Sequence, residues 1–151
     1  MTVPARVHHS AITARDVEAS VRFYRDGIGL TLLMDRRFDG DWPTLFGVRS
    51  TSLRSVFLGD PAAPDAGVVE LVDFGEAPAP APPGSAGGAG FLLLSFFVDL
   101  DATLARLAAL GHDDVRRIAQ PAPGGAVAMA TVRDPDGVLV ELIDTAAVGD
   151  G

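Results

Sequence analysis

The sequence predicts an α+β protein built from two tandem βαβββ modules, and three observations indicate this fold class. The order strand, helix, strand, strand, strand can be read twice along the 151 residues. The closing strands share one pattern, because VVELVD ends at Asp73 and LVELID ends at Asp144. The two predicted helices also begin alike, after Asp16 and after Asp99 or Asp101. A repeat of order and residues at this period indicates an internal duplication.

The first module is predicted to cover residues 7–75. Its opening strand alternates, which places His9, Ala11 and Thr13 on one face. Asp16 is a suitable N-cap for the helix that follows. One face of that helix is formed by Val17, Val21, Tyr24 and Ile28. Further strands are predicted at residues 30–36, 50–58 and 68–74, with a loop at residues 39–44.

The second module is predicted to cover residues 91–145, after a linker at residues 76–90. The linker consists of Ala, Pro, Gly and Ser with one charge at Glu76, so it buries little apolar surface. The sequence Asp134-Pro135-Asp136-Gly137 is typical of a tight turn and connects the last two strands as a hairpin. The elements are a strand at 91–98, a helix ending at Gly111, and strands at 115–118, 126–133 and 138–143.

Two carboxylates interrupt the apolar closing strands. Glu70 and Glu141 occupy equivalent positions, each in the middle of a β-branched, apolar run. A carboxylate in apolar surroundings is costly unless another group pairs with it. The two glutamates are therefore candidate functional residues, and the alternative is that each faces water on a surface strand.

Composition excludes several classes of protein. The chain has no cysteine, so it has neither disulfides nor thiolate ligands, and 48% of its residues are hydrophobic, as in a globular protein. Its net charge of -8 argues against binding to nucleic acid or to anionic membranes. No apolar run is long enough to span a bilayer, and the first residues lack the pattern of a signal peptide. We therefore expect a cytoplasmic protein, and the charge does not restrict the binding of small ligands.

Two segments resemble the vicinal oxygen chelate superfamily, which includes glyoxalases, bleomycin resistance proteins and extradiol dioxygenases. HSAITARDVEASVRFYRD, from His9 to Asp26 and followed by Gly29 and Leu30, is similar to the opening of these proteins. DPDGVLVE, which ends at Glu141, is similar to their closing strand. The resemblance covers residues 7–144 and implies one domain, in which paired βαβββ modules form a cupped mixed sheet.

The resemblance also implies a metal site. The metal-binding positions fall on His9, Glu70 and Glu141, with Glu70 and Glu141 as candidate catalytic residues. The fourth position falls on Leu92 or Leu93, neither of which can bind a metal. One imidazole and two carboxylates suit Zn, Ni, Mn, Co or Mg, and we expect such a metal to be bound weakly or not at all. The set differs from the two-His, one-carboxylate triad of non-haem iron oxygenases, which disfavours dioxygenase chemistry.

Two functions remain open at this point. The retained His9 and the two glutamates favour an enzyme that performs metal-assisted isomerase, lyase or proton-transfer chemistry on an oxygenated metabolite. The leucine at the fourth position favours a metal-free binding or resistance protein that sequesters an apolar or aromatic molecule. Four arginines near the first-module strands could hold an anionic group, and six aromatic residues could wall a pocket. These are Arg36, Arg37, Arg49 and Arg54, and Phe38, Trp42, Phe46, Phe57, Phe96 and Phe97.

Open sheets with exposed edges and apolar faces need cover, so we also expect a homodimer.

Overall fold

The computed structural model describes residues 3–76, 78 and 88–147, and the predicted linker at 76–90 lies mostly outside them. The strands are β1 (His9–Thr13), β2 (Thr31–Asp39), β3 (Ser52–Gly59), β4 (Val68–Asp73), β5 (Leu94–Val98), β6 (Arg116–Ala122), β7 (Gly125–Arg133) and β8 (Leu139–Asp144). The helices are α1 (Val17–Val21), which continues as a π-helical segment (Arg22–Ile28), α2 (Trp42–Phe46) and α3 (Leu100–Ala109), and a 3-10 turn covers Thr145–Ala147.

The two sheets have the same topology. Their strand orders are β1-β4-β3-β2 and β5-β8-β7-β6. In each sheet the first strand is parallel to the last, and the other neighbours are antiparallel. This confirms the predicted α+β fold class with tandem βαβββ modules.

The chain divides into two compact units, each with its own core. Unit 1 comprises Met1–Arg25 and Leu30–Ala79, and unit 2 comprises Asp26–Gly29 and Pro80–Gly151. The core of unit 1 includes the buried side chains of Val17, Val21, Phe23, Tyr24, Val56, Leu58 and Leu71. The core of unit 2 includes those of Leu100, Leu107, Ala130, Val132, Val140 and Leu142.

Equivalent aspartates begin the two longer helices. The Asp16 carboxylate accepts a hydrogen bond from the Ala19 amide at 3.1 Å, and the Asp99 carboxylate accepts one from the Ala102 amide at 3.1 Å. Asp99 is therefore the N-cap of α3, whereas Asp101 lies in its first turn.

No helix in the described part of the chain is long and apolar enough to cross a bilayer.

The turn before β8 forms as predicted, and Asp134 organises it. The buried Asp134 carboxylate accepts hydrogen bonds from the amides of Asp136 at 2.9 Å and Val138 at 2.8 Å. Gly137 has a φ of 87°, which a residue with a side chain rarely adopts. The turn thereby fixes the register of β8 against β7, and with it the position of Glu141 opposite Thr131.

One helix was not expected. Residues 39–44 were predicted to be a loop, but α2 covers Trp42–Phe46 within the connection between β2 and β3. Asp41 caps the helix by accepting a hydrogen bond from the Thr44 amide at 3.3 Å, and Gly47 ends it with a φ of 70°. Five residues are too few for a periodic apolar pattern, so only the cap residues signal this helix.

Candidate active site

One face of the sheet in unit 1 carries a cavity of about 630 Å³. Its lining is mainly apolar, with several polar groups at one end. The lining residues are His9, Ala11, Thr13, Met34, Phe38, Trp42, Phe46, Val48, Leu53, Ser55, Phe57, Glu70, Val72 and Phe74.

Strand alternation explains which side chains reach the cavity. On β3 the lining residues are Leu53, Ser55 and Phe57, whereas Val56 and Leu58 between and after them are fully buried in the core. Every second residue of β1 lines the cavity as expected, beginning with His9. The two-residue alternation of the strands thus gives the sheet one face that packs in the core and one face that lines the cavity.

Helix α2 supplies an aromatic wall. The rings of Trp42 and Phe46 stack with centroids 5.7 Å apart and planes 15° apart, and Phe46 meets Phe74 edge to face at 6.2 Å. Trp42 Nε1 donates a hydrogen bond to the Phe38 carbonyl at 3.1 Å, which ties the indole to β2. A wall of fixed, nearly parallel rings suits a flat apolar or aromatic ligand.

His9, Ser55 and Glu70 form the polar end of the cavity. Ser55 Oγ donates a hydrogen bond to Glu70 Oε2 at 2.6 Å. His9 Nε2 lies 3.6 Å from Glu70 Oε1, which is an ion-pair distance when the imidazole is protonated. The Glu70 side chain is 16% exposed and that of His9 is 39% exposed, so solvent and ligand can reach the pair. The half-buried carboxylate is thus hydrogen-bonded at one oxygen and faces His9 with the other.

His8 also belongs to this cluster, although adjacent residues of a regular strand point to opposite faces. Its Nδ1 lies 2.8 Å from Nδ1 of His9, and both rings pack against Phe57, with centroids 6.0 Å and 5.7 Å away. His8 precedes the first residue of β1, so the alternation rule does not apply to it. At this distance one of the two nitrogens carries a proton and donates a hydrogen bond, and the other nitrogen accepts that hydrogen bond.

Glu141 also accepts a hydrogen bond from a serine in unit 2, but from a different strand. Ser95 Oγ donates a hydrogen bond to Glu141 Oε1 at 2.8 Å, and Ser95 is the parallel-strand partner of Glu141. In unit 1 the corresponding partner of Glu70 is Ala11, two residues after His9. The position equivalent to His9 is therefore two residues before Ser95, which is Leu93 and not Leu92.

Unit 1 brings together two of the three side chains expected to bind a metal. Among residues 3–76, 78 and 88–147, no three His, Asp or Glu side chains are grouped so that they could hold a metal ion. His9 and Glu70 come together, but a catalytic metal site commonly has three protein ligands. The sharing of one ion by His9, Glu70 and Glu141 stays a prediction.

Of the six aromatic residues considered from the sequence, four line the cavity and two do not. Phe38, Trp42, Phe46 and Phe57 line it, whereas Phe96 and Phe97 belong to β5 of unit 2. Sequence reasoning missed Met34, Ser55 and Phe74. The alternation of β3 could have identified Ser55, because it places a serine on the same face as Phe57.

The arginines of the first module lie on two different faces of the sheet. Arg54 bridges Asp35 at 2.8 Å and Glu18 at 2.9 Å, away from the cavity. Its guanidinium hydrogen bond lowers the pKa of Asp35, and burial acts in the opposite direction without reversing the shift. Arg36 lies opposite Ser55, on the cavity face.

Comparisons with known proteins agree on one family. The family described as the Glyoxalase/Bleomycin resistance protein/Dioxygenase superfamily matches residues 6–142. A lactoylglutathione lyase-like protein, terB from Aspergillus terreus, is 38% identical over 145 residues, which are 91% of this chain and 74% of that protein.

Solved structures have the same fold. A glyoxalase family protein from Bacillus cereus has a TM-score of 0.75 at 20% identity, and the match covers 95% of each chain. TnmS3, an antibiotic binding protein from Streptomyces sp. CB03234, has a TM-score of 0.57 at 26% identity, covering 95% of this chain and 98% of that chain.

Proposed function

We propose that this chain, which belongs to the Glyoxalase/Bleomycin resistance protein/Dioxygenase superfamily, is a small-molecule enzyme that moves a proton on an oxygenated, mainly apolar substrate. The substrate would occupy the cavity of unit 1, with its flat apolar part against the Trp42–Phe46 wall. The reacting carbon and oxygen would lie at the polar end. The reaction class is isomerase or lyase chemistry that begins with removal of a proton next to a carbonyl group.

The His9–Glu70 pair is the observation that carries this proposal. A cavity that only sequesters an apolar molecule gains nothing from a carboxylate, because apolar surroundings disfavour its charge. Here the carboxylate is half-buried, bound by Ser55 on one oxygen and facing His9 with the other. A positioned base beside a positioned hydrogen-bond donor is the arrangement that general acid–base catalysis requires.

The proposed reaction acts on an α-hydroxy carbonyl group and has three proton transfers. Glu70 takes the proton from the carbon that bears the hydroxyl group, the electron pair of the broken C–H bond forms the carbon–carbon double bond of an enediolate, and the carbonyl electron pair moves onto its oxygen. His9 Nε2–H donates a hydrogen bond to this oxygen, which then receives the proton of the neighbouring hydroxyl group. Glu70 returns its proton to the former carbonyl carbon while the other carbon becomes the new carbonyl carbon, so the atoms and charge of the isomerisation balance. Ser55 keeps the carboxylate in place throughout.

A divalent metal would need a third donor besides His9 and Glu70. We propose Glu141 for this role, because it occupies the position of unit 2 that corresponds to Glu70 and has the same kind of serine partner. Leu93 supplies no fourth ligand, so the affinity would be low. Such an ion would polarise the substrate carbonyl. The proton transfers above depend only on His9 and Glu70.

Proton exchange into deuterated water tests the reaction directly. 2-Hydroxyacetophenone is a suitable probe, because it combines an aromatic ring with an exchangeable CH₂ next to a carbonyl. We expect the protein to accelerate loss of the CH₂ signal in a proton NMR spectrum. The Glu70→Gln variant should lower the enzymatic rate by at least about a hundredfold, the usual contribution of a general base.

The control for this experiment is binding of the same probe. Trp42 is the only tryptophan of the chain and lines the cavity, so quenching of its fluorescence reports occupancy. Binding that persists in Glu70→Gln while exchange is lost supports a catalytic role. Exchange that is equally fast in the variant would contradict the assignment of Glu70 as the base.

A binding protein is the second candidate, and the small donor set favours it. Only two of the expected metal-binding side chains come together in unit 1, and TnmS3, whose fold this chain shares, is an antibiotic binding protein. An aromatic cavity can sequester a flat molecule without any reaction. Tight binding of aromatic probes with no acceleration of exchange would favour this function over the enzyme.

We also propose a homodimer, supported by an apolar row across the sheet of unit 2. The strand register places four apolar residues side by side on one face, and they are Phe97, Ile143, Met129 and Ile118. Phe97 is 66% exposed and Ile118 is 56% exposed in the single chain. An apolar sheet face of this kind is usually covered by a partner. Light scattering should give about twice the 15.7 kDa chain mass, and a monomer at micromolar concentration would contradict the proposal.

A further inference from the structure

Arg36 lies on the cavity face of the sheet, although it does not line the cavity itself. The register pairs Arg36 with Ser55 and Ser55 with Val72. Directly opposed residues in a sheet point to the same face, with their Cβ atoms about 5 Å apart. Ser55 and Val72 both line the cavity, so the Arg36 side chain projects from the same face at its β2 edge. Its neighbours along that face, Met34 and Phe38, line the cavity as well.

No acidic side chain among the described residues pairs with the guanidinium group of Arg36. Among the described residues the Arg36 side chain has no hydrogen bond or ion pair, and the residue is exposed. Arg54, on the core-facing side of the neighbouring strand, is in contrast held by Asp35 and Glu18. The Glu70 carboxylate does not neutralise Arg36 either, since its oxygens face Ser55 and His9. A cation therefore stands at the edge of the cavity with its hydrogen-bond donors available.

An available guanidinium is informative because the whole chain is acidic. The net charge of -8 repels anions at long range, so an anionic ligand needs a local cation to bind. The planar guanidinium matches a carboxylate group with two parallel hydrogen bonds. The aromatic wall at Trp42 and Phe46 lies on the same side of the sheet and accepts a flat ring.

We propose that the cavity takes an aromatic carboxylate, and that Arg36 binds the carboxylate group and thereby sets specificity. This inference rests on the proposed function, since it uses the same cavity and names the class of molecule that fills it. The ring would lie along the Trp42–Phe46 wall. The acid group would point to the edge formed by β2, which β3 separates from the strand of Glu70, because a second negative charge beside Glu70 would be repelled.

A pair of ligands with the same shape tests the role of charge. Naphthalene-2-carboxylate and naphthalene-2-carboxamide differ in charge but hardly in size. Isothermal titration calorimetry should show that the wild-type protein prefers the carboxylate by about tenfold, as one charge-assisted bidentate contact at a partly exposed site allows. Arg36→Gln should remove the preference while the dissociation constant for the carboxamide changes less than about twofold. Arg36→Lys should keep part of the preference, because it keeps the charge and loses the planar fork.

Two control variants localise the effect. Arg37→Gln removes the neighbouring cation, which points to the opposite face of β2. Arg49→Gln removes a cation that lines a smaller adjacent pocket of about 290 Å³ together with Glu76. Both should keep the preference for the carboxylate. A loss of preference in Arg49→Gln, with Arg36→Gln unaffected, would overturn the assignment to Arg36. Thermal unfolding of each variant verifies that it is folded.

The remaining outcomes separate this inference from the proposed function. If the wild-type protein binds both ligands equally, the cavity binds aromatic molecules as proposed, but the inference that its ligand is a carboxylate is wrong. If it binds neither ligand and Trp42 fluorescence does not change, the proposed ligand cavity fails and the inference fails with it. A preference that persists in Arg36→Gln shows that another group selects the anion.

Discussion

Ser55 Oγ donates a hydrogen bond of 2.6 Å to Glu70 Oε2 across neighbouring strands of unit 1. A serine also donates a hydrogen bond to a glutamate in unit 2, where Ser95 Oγ of β5 lies 2.8 Å from Glu141 Oε1. The two pairs differ in their surroundings. Ser55 is 2% exposed, whereas Ser95 is open to solvent. Only the first pair therefore has to satisfy its hydrogen bonds within the protein.

Removal of the Ser55 hydroxyl should lower stability measurably. In Ser55→Ala the Glu70 carboxylate loses a partner that water replaces poorly at a buried position, at a cost of about 1–2 kcal/mol in the free energy of unfolding. Urea denaturation measures this cost. Ser95→Ala is the matched control, and we expect a change below about 0.5 kcal/mol because water replaces the exposed hydroxyl. Equal losses in both variants would show that burial does not decide the strength of these pairs.

The ion pair between Asp35 and Arg54 should make the free energy of unfolding depend on pH in the acidic range. The Arg54 guanidinium holds the pKa of Asp35 below its ordinary value, so the unfolded chain binds this proton more readily than the folded chain. The stabilising contribution is present above the unfolded pKa of about 3.9 and is lost as the pH falls through the lower folded pKa. The side chains are partly exposed, 37% for Asp35 and 24% for Arg54, so solvent limits the effect to about 0.5 kcal/mol.

Asp35→Asn tests this dependence. Urea midpoints measured between pH 2 and pH 6 should fall less steeply in the variant than in the wild type on the acid side. Added salt should reduce the difference, since it screens exposed charges. Parallel curves for the two proteins would rule out Asp35 as a contributor to acid sensitivity.

Gly47 should be required for the aromatic wall. Its φ of 70° ends α2, and no atom lies within 4 Å of the place where a Cβ would be. Gly47→Ala therefore adds backbone strain without a clash, of about 1–2 kcal/mol. We expect a lower melting temperature and a red-shifted emission of Trp42. Leu45→Ala changes an exposed side chain of the same helix and should leave both quantities unchanged. An unshifted emission in Gly47→Ala would mean that the wall does not depend on this turn.

The proposed three-residue metal site makes a prediction about Leu93. If His9, Glu70 and Glu141 share an ion, Leu93→His supplies the fourth ligand and raises the affinity for Zn²⁺ by at least about tenfold in calorimetric titrations. Leu92→His, one residue away, should not, because only Leu93 corresponds to His9 in the strand register. His9→Ala, Glu70→Gln and Glu141→Gln should each weaken binding. A Glu141→Gln variant that binds Zn²⁺ like the wild type would exclude Glu141 from the site.

Sequence patterns predicted the sheets well because strand alternation and turn chemistry are local. The Asp134–Gly137 turn and the apolar run of β8 follow from adjacent residues, and the structure has them within a residue or two. The outer strand β6 is longer than predicted, because its pairing with β7 continues to Ala122. Pro121 is tolerated there, since an edge strand leaves one row of backbone amides unpaired.

The cavity could be predicted only in part. His9 and Glu70 follow from alternation and from the family resemblance, and the structure places them 3.6 Å apart. The position of His8 depends on its contact with Phe57, which is distant in the sequence. Helix α2 is signalled locally only by its cap residues, because it is too short for a periodic apolar pattern. Arg36 was noted among four arginines, but the strand register alone separates it from Arg37 and Arg54.

The connection between the second and third strands differs between the two modules. In unit 1 it spans residues 40–51 and contains α2, whereas in unit 2 only residues 123–124 separate β6 from β7. Duplicated halves can therefore diverge without altering either sheet: one copy acquires an insertion that shapes a pocket, while the other keeps a short hairpin. Variation confined to residues 40–51 could redirect the choice of ligand during evolution, and a library randomised there would explore new specificities on an unchanged scaffold.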